Sequence, residues 1–145
     1  MTGVPRVFAS GQQIAALRDT NVYLLTVELW SGNQVTARLV GQLNERMQSA
    51  IDSYYVALQG WTPGQSRDAV PSSPGEEMFR ALRVGLSDEA GTAFTLESGS
   101  SGGTRHELLY EWHFRASHEL HGSHLTLTVM NSEGAGGSKE IDFPQ

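Results

Sequence analysis

Three imidazoles fall within seven residues, at His118, His121 and His124. Histidine is the commonest protein ligand for transition metals, so this stretch is the first place to look for a zinc-like site. The spacing is not that of a helical zinc protease motif, which needs His at i and i+4 around a Glu; here the gaps are three and three, and Gly122 interrupts. On an extended strand a gap of three sends neighbouring side chains to opposite faces. The same residues therefore also read as a polar connection that caps a β structure. No cofactor is expected.

Carboxylates offer less. Asp88 and Glu89 are neighbours inside Asp88-Glu89-Ala90-Gly91, a turn signature. Glu76-Glu77 ends a Pro-rich stretch. General acid–base chemistry needs carboxylates paired in a cleft, which adjacency in a turn does not supply. No G-x-S-x-G elbow is present, and the run 99–103 (GSSGG) lacks the Gly-Lys-Ser/Thr of a phosphate loop. With no cysteine in the chain, thiolate nucleophiles, iron–sulfur clusters and cysteine-type zinc sites are excluded. Trp30, Tyr55 and Trp61 are the candidate ligand-binding aromatics, since exposed rings serve as platforms for sugars, peptides or partner proteins. The structural alternative is that Trp30 caps a sheet edge and Trp61 covers a helix end.

Ten basic residues stand against 16 acidic ones, a net charge of -6. Such a surface repels phosphate backbones, so no nucleic-acid partner is expected. No stretch approaches the roughly 20 apolar residues of a membrane span, and the N-terminus has no continuous apolar signal region. The expectation is a soluble, cytoplasmic protein with no membrane association.

The elements that must position these residues are mostly strands. Residues 106–114 (HELLYEWHF) alternate strictly, with Leu108, Tyr110, Trp112 and Phe114 on one face and His113 beside Glu111 on the other. Residues 22–30 form a second strand. There Tyr23, Leu25, Val27 and Leu29 are expected on one face, and Leu24, Thr26, Glu28 and Trp30 on the other. Ser31-Gly32-Asn33 turns it into a hairpin with 34–41. Val7 and Phe8 suit an edge strand. Shorter alternating runs follow at 79–87, 92–97, 124–130 and 141–143.

Residues 43–59 break this rhythm. Their apolar positions follow the 3.6-residue period, Asn44 suits the N-cap, and Gly60 suits a left-handed C-terminal position. One amphipathic helix is expected over about 44–59. Residues 61–77 read as a Pro-rich loop, and 98–104 as a flexible Gly/Ser loop.

The order formed by VYLLTVELW, LSDEAGTAF, a Gly/Ser stretch, EWHF and LTLTV resembles small uncharacterised bacterial proteins with an immunoglobulin-like β-sandwich. The resemblance covers residues 22–129 and rests on turn residues, a strand tryptophan and hydrophobic alternation. It implies architecture and supplies no catalytic residues; the disulfide of true immunoglobulin domains has no counterpart here. The expected fold is thus mainly β: one domain over 1–145, an antiparallel immunoglobulin-like sandwich of about eight strands with one inserted helix. The expected role is a non-enzymatic interaction or assembly module, acting as a homodimer or on a protein partner. The alternatives are a small-ligand or carbohydrate-binding domain and, further off, a metal-dependent enzyme built on His118, His121 and His124.

Overall fold

The computed structural model describes residues 4–17, 20–30, 33–42, 45–61, 74–104, 107–120, 124–131 and 134–143. The expectations placed on Ser31, Gly32, Leu43, Asn44, residues 62–73, His106 and His121 lie outside them. In chain order the elements are β1 (Arg6–Ala9), β2 (Gln13–Leu17), β3 (Thr20–Trp30), β4 (Gln34–Gly41), α1 (Glu45–Gln59), α2 (Pro74–Ala81), β5 (Arg83–Ser87), β6 (Phe94–Thr104), β7 (Glu107–Ala116), β8 (His124–Met130) and β9 (Gly136–Asp142).

Every strand pairing among these residues is antiparallel, and the strands form two sheets in a sandwich-like arrangement. The larger sheet runs β1-β3-β4-β7-β6, with β2 also on β3; the smaller runs β5-β8-β9. β1 and β2 lie end to end along one edge of β3, opposite residues 26–29 and 20–23. The corner between them is Gly11, whose φ of 120° suits a residue without Cβ.

The aromatic strand behaves as its alternation predicts. Leu108, Tyr110, Trp112 and Phe114 are all buried, and they face Gly41, Leu39, Ala37 and Val35 across the β4–β7 ladder. Val22, Leu24, Val27 and Leu29 extend this inner face onto β3, while Leu125, Leu127, Val129, Ile141 and Phe143 close it from the smaller sheet.

The β3 faces differ from expectation. A bulge between Leu24 and Thr26 shifts the register, so Val22 and Leu24 point inward before it and Val27 and Leu29 after it. The extra residue, Leu25, is left partly exposed. A bulge reverses the parity of a strand, and a strict two-residue reading cannot see one.

α1 ends where expected. Its inner stripe is narrow: Met47, Ile51 and Tyr55, each four residues from the next, meet the core, whereas Ala50 is exposed. Gly60 is not left-handed. The helix instead ends in tightened bonds from the Gly60 and Trp61 N–H groups to the Ala57 and Leu58 carbonyls, both 3.2 Å.

The structure has two helices, not one, and nine strands among the described residues. The tail of the expected loop and the start of the expected strand at Phe79 together form α2. Pro74 opens it, where a missing N–H costs nothing, and Arg80 suits the negative C-terminal end. Phe79 stacks on Trp112 at 5.0 Å and on Tyr110 at 5.9 Å between centroids. Tertiary stacking thus holds a helix too short to persist alone.

The Gly/Ser run is also not a loop. It is the second half of β6, paired with β7 from Phe94 to Thr104. Ladder bonds come from the backbone and need no particular side chain. Here small size is useful, since a Cβ on Gly99 would lie 2.8 Å from the Phe79 ring. Leu96, in the alternating run expected at 92–97, is 50% exposed just before a bulge at Glu97.

Candidate binding site on the outer sheet face

The helices and the smaller sheet contribute to the core on the inner face of the larger sheet. Side chains of opposite parity to the core line the outer face: Thr26, Glu28 and Trp30 from β3, Gln34, Thr36 and Arg38 from β4, Glu111, His113 and Arg115 from β7. Antiparallel register places Arg38 opposite Glu111, Thr36 opposite His113 and Glu28 opposite Thr36.

These residues form one continuous network. Arg38 donates from Nε to Glu28 Oε2 and from Nη1 to Glu111 Oε2, both at 2.7 Å. Thr26 Oγ1 donates to Glu28 Oε2 at 3.0 Å. His113 Nε2 lies 2.8 Å from Glu111 Oε1, and its Nδ1 lies 3.0 Å from Thr36 Oγ1. Beside them, Arg115 pairs with Glu97.

The electrostatics follow from these contacts. Burial alone raises the Glu28 carboxyl, but the bonds from Arg38 and Thr26, the Arg38 charge and the Trp30 indole N–H outweigh it and hold the group below its ordinary value of 4.5. The Glu28 bond, against partial burial, raises Arg38 in turn, with help from the charges of Glu28 and Glu111. Both partners are therefore fixed as ions.

Two hollows flank the network. One, of about 140 Å³, is walled by Trp30, Gln34, Thr36, Glu97, Ser98 and His113, with Val35 and Phe114 also lining it. The other, of about 330 Å³, lies around Arg38 and Glu111 and includes the partly exposed Leu25 and Leu109. Arg38 reaches the smaller hollow indirectly, orienting His113 through Glu111.

Of the three candidate aromatics, only Trp30 stands on this hollow. Tyr55 lies on the core-facing stripe of α1. Trp61 follows α1 half-buried, and its buried indole N–H has no partner among the described residues. The structure does not gather the three at this site.

Two of the three histidines do converge. His118 and His124 line one hollow of about 250 Å³ with Asp88 and Glu89. Their ring nitrogens are largely engaged. His118 Nδ1 meets the Glu119 carbonyl at 3.0 Å and Nε2 meets Thr92 Oγ1 at 3.2 Å, while His124 Nδ1 meets Asp142 Oδ1 at 2.6 Å. The Asp142 bond, despite slight desolvation, raises His124 above its ordinary 6.5, with help from the charges of Asp142, Glu140 and Glu89. Asp88 is held low, first by Thr92 and then by the backbone N–H groups of Thr92 and Ala90. Among the described residues no three metal-ligating side chains form a group that would hold an ion.

Alternation alone placed His113 beside Glu111 on the outer face. It missed Arg38 between Glu28 and Glu111, because that contact depends on β4 lying against β7, some 70 residues later in the chain. No family model, curated protein or solved structure matches this chain. No helix among the described residues is long and apolar enough to cross a membrane.

Proposed function

We propose that this chain is a non-enzymatic recognition module and that the outer face of its six-stranded sheet is the binding surface. One observation carries the reading: the bonded chain Glu28–Arg38–Glu111–His113–Thr36 fixes an imidazole on the wall of an open hollow that Trp30 also lines. Side chains locked before binding lose little entropy when a ligand arrives, so such a wall is suited to recognition.

A peptide, a partner protein or a small molecule all fit this reading, as does a second copy of the chain against the long edge strand β6. The test is amide chemical-shift mapping of the labelled protein against a mixed library of short peptides, saccharides and small organic fragments. Hits should cluster on residues 26–30, 34–38, 97–102 and 109–115. A library whose hits all map elsewhere, or that yields none, would overturn the assignment of this face.

A further inference from the structure

We infer that the Trp30–His113 hollow is a subsite for one neutral pyranose ring; this rests on the outer face being the recognition surface. Size comes first. At about 140 Å³ the hollow is less than half of even a small drug-sized pocket, roughly 300 Å³, and suits a single ring. Its walls have two characters. Trp30 supplies an aromatic surface, while Gln34, Thr36, Ser98 and His113 supply amide, hydroxyl and imidazole groups. A pyranose has a matching division: an apolar C–H face that stacks on an aromatic ring, and an equatorial belt of hydroxyls that both donate and accept.

The competing ring-sized ligands fit less well. A nucleotide brings phosphate to a chain of net charge -6, with Glu97 on the hollow's wall. A quaternary ammonium needs free negative charge or an aromatic cage, but Glu97 is already paired with Arg115, and two aromatics, Trp30 and the buried Phe114, do not make a cage. A purely apolar ring would offer nothing to the Gln34 amide and the Ser98 hydroxyl on the hollow's wall. A neutral polyol bonds them without introducing charge.

The network gives the site its geometry. Glu111 and Thr36 hold the His113 ring at both nitrogens, and Arg38 ties Glu111 to Glu28, which shares the outer face of β3 with Trp30. Arg38 is thus a positioning residue that need not touch the sugar.

The experiment is titration of the intact protein, followed by chemical shift and calorimetry, with glucose, galactose, mannose, N-acetylglucosamine and their β-linked disaccharides up to about 50 mM. A single-ring site predicts a dissociation constant of about 1 mM for the preferred sugar. Trp30→Ala should weaken it at least tenfold, about the worth of one aromatic stack, and Trp30→Phe should weaken it less. Trp61→Phe should leave it unchanged. Arg38→Met should weaken binding while broadening the His113 side-chain resonances, a signature a merely structural role would not give. Saturable binding that survives Trp30→Ala would overturn the subsite, as would no saccharide response at all. If peptides or other fragments perturb the hollow and no saccharide does, the sugar assignment falls and the recognition face stands. If nothing perturbs that face, both fall.

Discussion

At the scale of single residues, two groups make opposite demands on the fold. Tyr110 is 2% exposed, and its hydroxyl has no hydrogen-bond partner among the described residues. Burial pushes its phenol from 10.0 up to about 12. An unmade bond on a buried hydroxyl costs on the order of 1–3 kcal/mol, so Tyr110→Phe is expected to leave stability unchanged or raise it by about 1 kcal/mol. It should also change the alkaline limb. Between pH 10 and 12 the unfolded phenol has lost its proton while the folded one retains it. Stability therefore falls as pH rises through that window, by up to about 1.4 kcal/mol per unit, and Tyr110→Phe should flatten that part of the slope. Urea melts at pH 9, 10 and 11 check both effects; a parallel slope in the variant would contradict the account. Arg38 is the reverse case, a charge whose removal strands another. Arg38→Met leaves Glu28 nearly buried without its cation and should cost on the order of 1–3 kcal/mol near neutral pH. Because Glu28 is held below 4.5, its contribution is present above pH 4.5 and is lost as pH falls through its depressed folded value. The variant should accordingly lose stability less steeply on acidification than the parent. Adding Glu28→Gln should recover part of the loss at pH 7, and no recovery would mean that the pair is not the source of the cost.

At the scale of elements, the places where sequence patterning worked and failed divide by a physical rule. β4, β7, β8 and α1 were legible because each buries one regular face, and burying a face imposes its own period on the sequence. The Gly/Ser half of β6 was not, since its reason to be a strand lies in β7 beside it and in the Phe79 ring above it. α2 was hidden for a related cause. It has eight residues, and its anchor Phe79 is indistinguishable from a strand residue until Trp112 is beneath it. The bulge in β3 put Val22 and Leu24, rather than Tyr23 and Leu25, on the face of Val27 and Leu29. The candidate site was half visible for the same reason: Glu111 and His113 share one strand, whereas Arg38 and Trp30 come from elsewhere. The coupling between α2 and β6 can be measured. Gly99→Val places branched carbons where the Phe79 ring now sits 2.8 Å from the would-be Cβ, and overpacking of this kind costs on the order of 1–3 kcal/mol. Phe79→Ala should cost more by itself, yet Gly99→Val should cost much less in that background, because the ring it strikes is gone. Additive effects in this double-mutant cycle, read from chemical denaturation, would separate α2 from β6.

At the scale of the whole molecule, the two layers are joined unequally. On one side the chain closes a seam between β2 and β9: a Cβ on Gly137 would lie 2.5 Å from the Ile14 carbonyl oxygen, Asn131 Nδ2 donates to the Ala16 carbonyl at 3.1 Å, and Lys139 Nζ donates to Gln12 Oε1 at 2.7 Å. Only a residue without Cβ permits that approach. Elsewhere the inner face is covered by α1 and α2, and α1 contributes a single buried side chain, Ile51, with Met47 and Tyr55 partly covered. Strands β3, β4 and β7 carry Val22, Val27, Ala37, Leu39 and Tyr110 at 2% exposure or less. Local stability follows buried apolar contact, so the molecule should not open all at once. Amide hydrogen exchange is expected to be slowest in β4 and β7, where it requires global unfolding, and markedly faster in α1, which can lift from the sheet by giving up little more than Ile51. Ile51→Ala should accelerate exchange within α1 while leaving the β4 and β7 protection pattern intact apart from a uniform shift. The outer face, carried by those slow strands, would then keep its geometry while the helical layer fluctuates beneath it. If α1 and β7 exchange with the same free energy, the helices are as integral as the sheet, and recognition on the outer face is coupled to the whole fold.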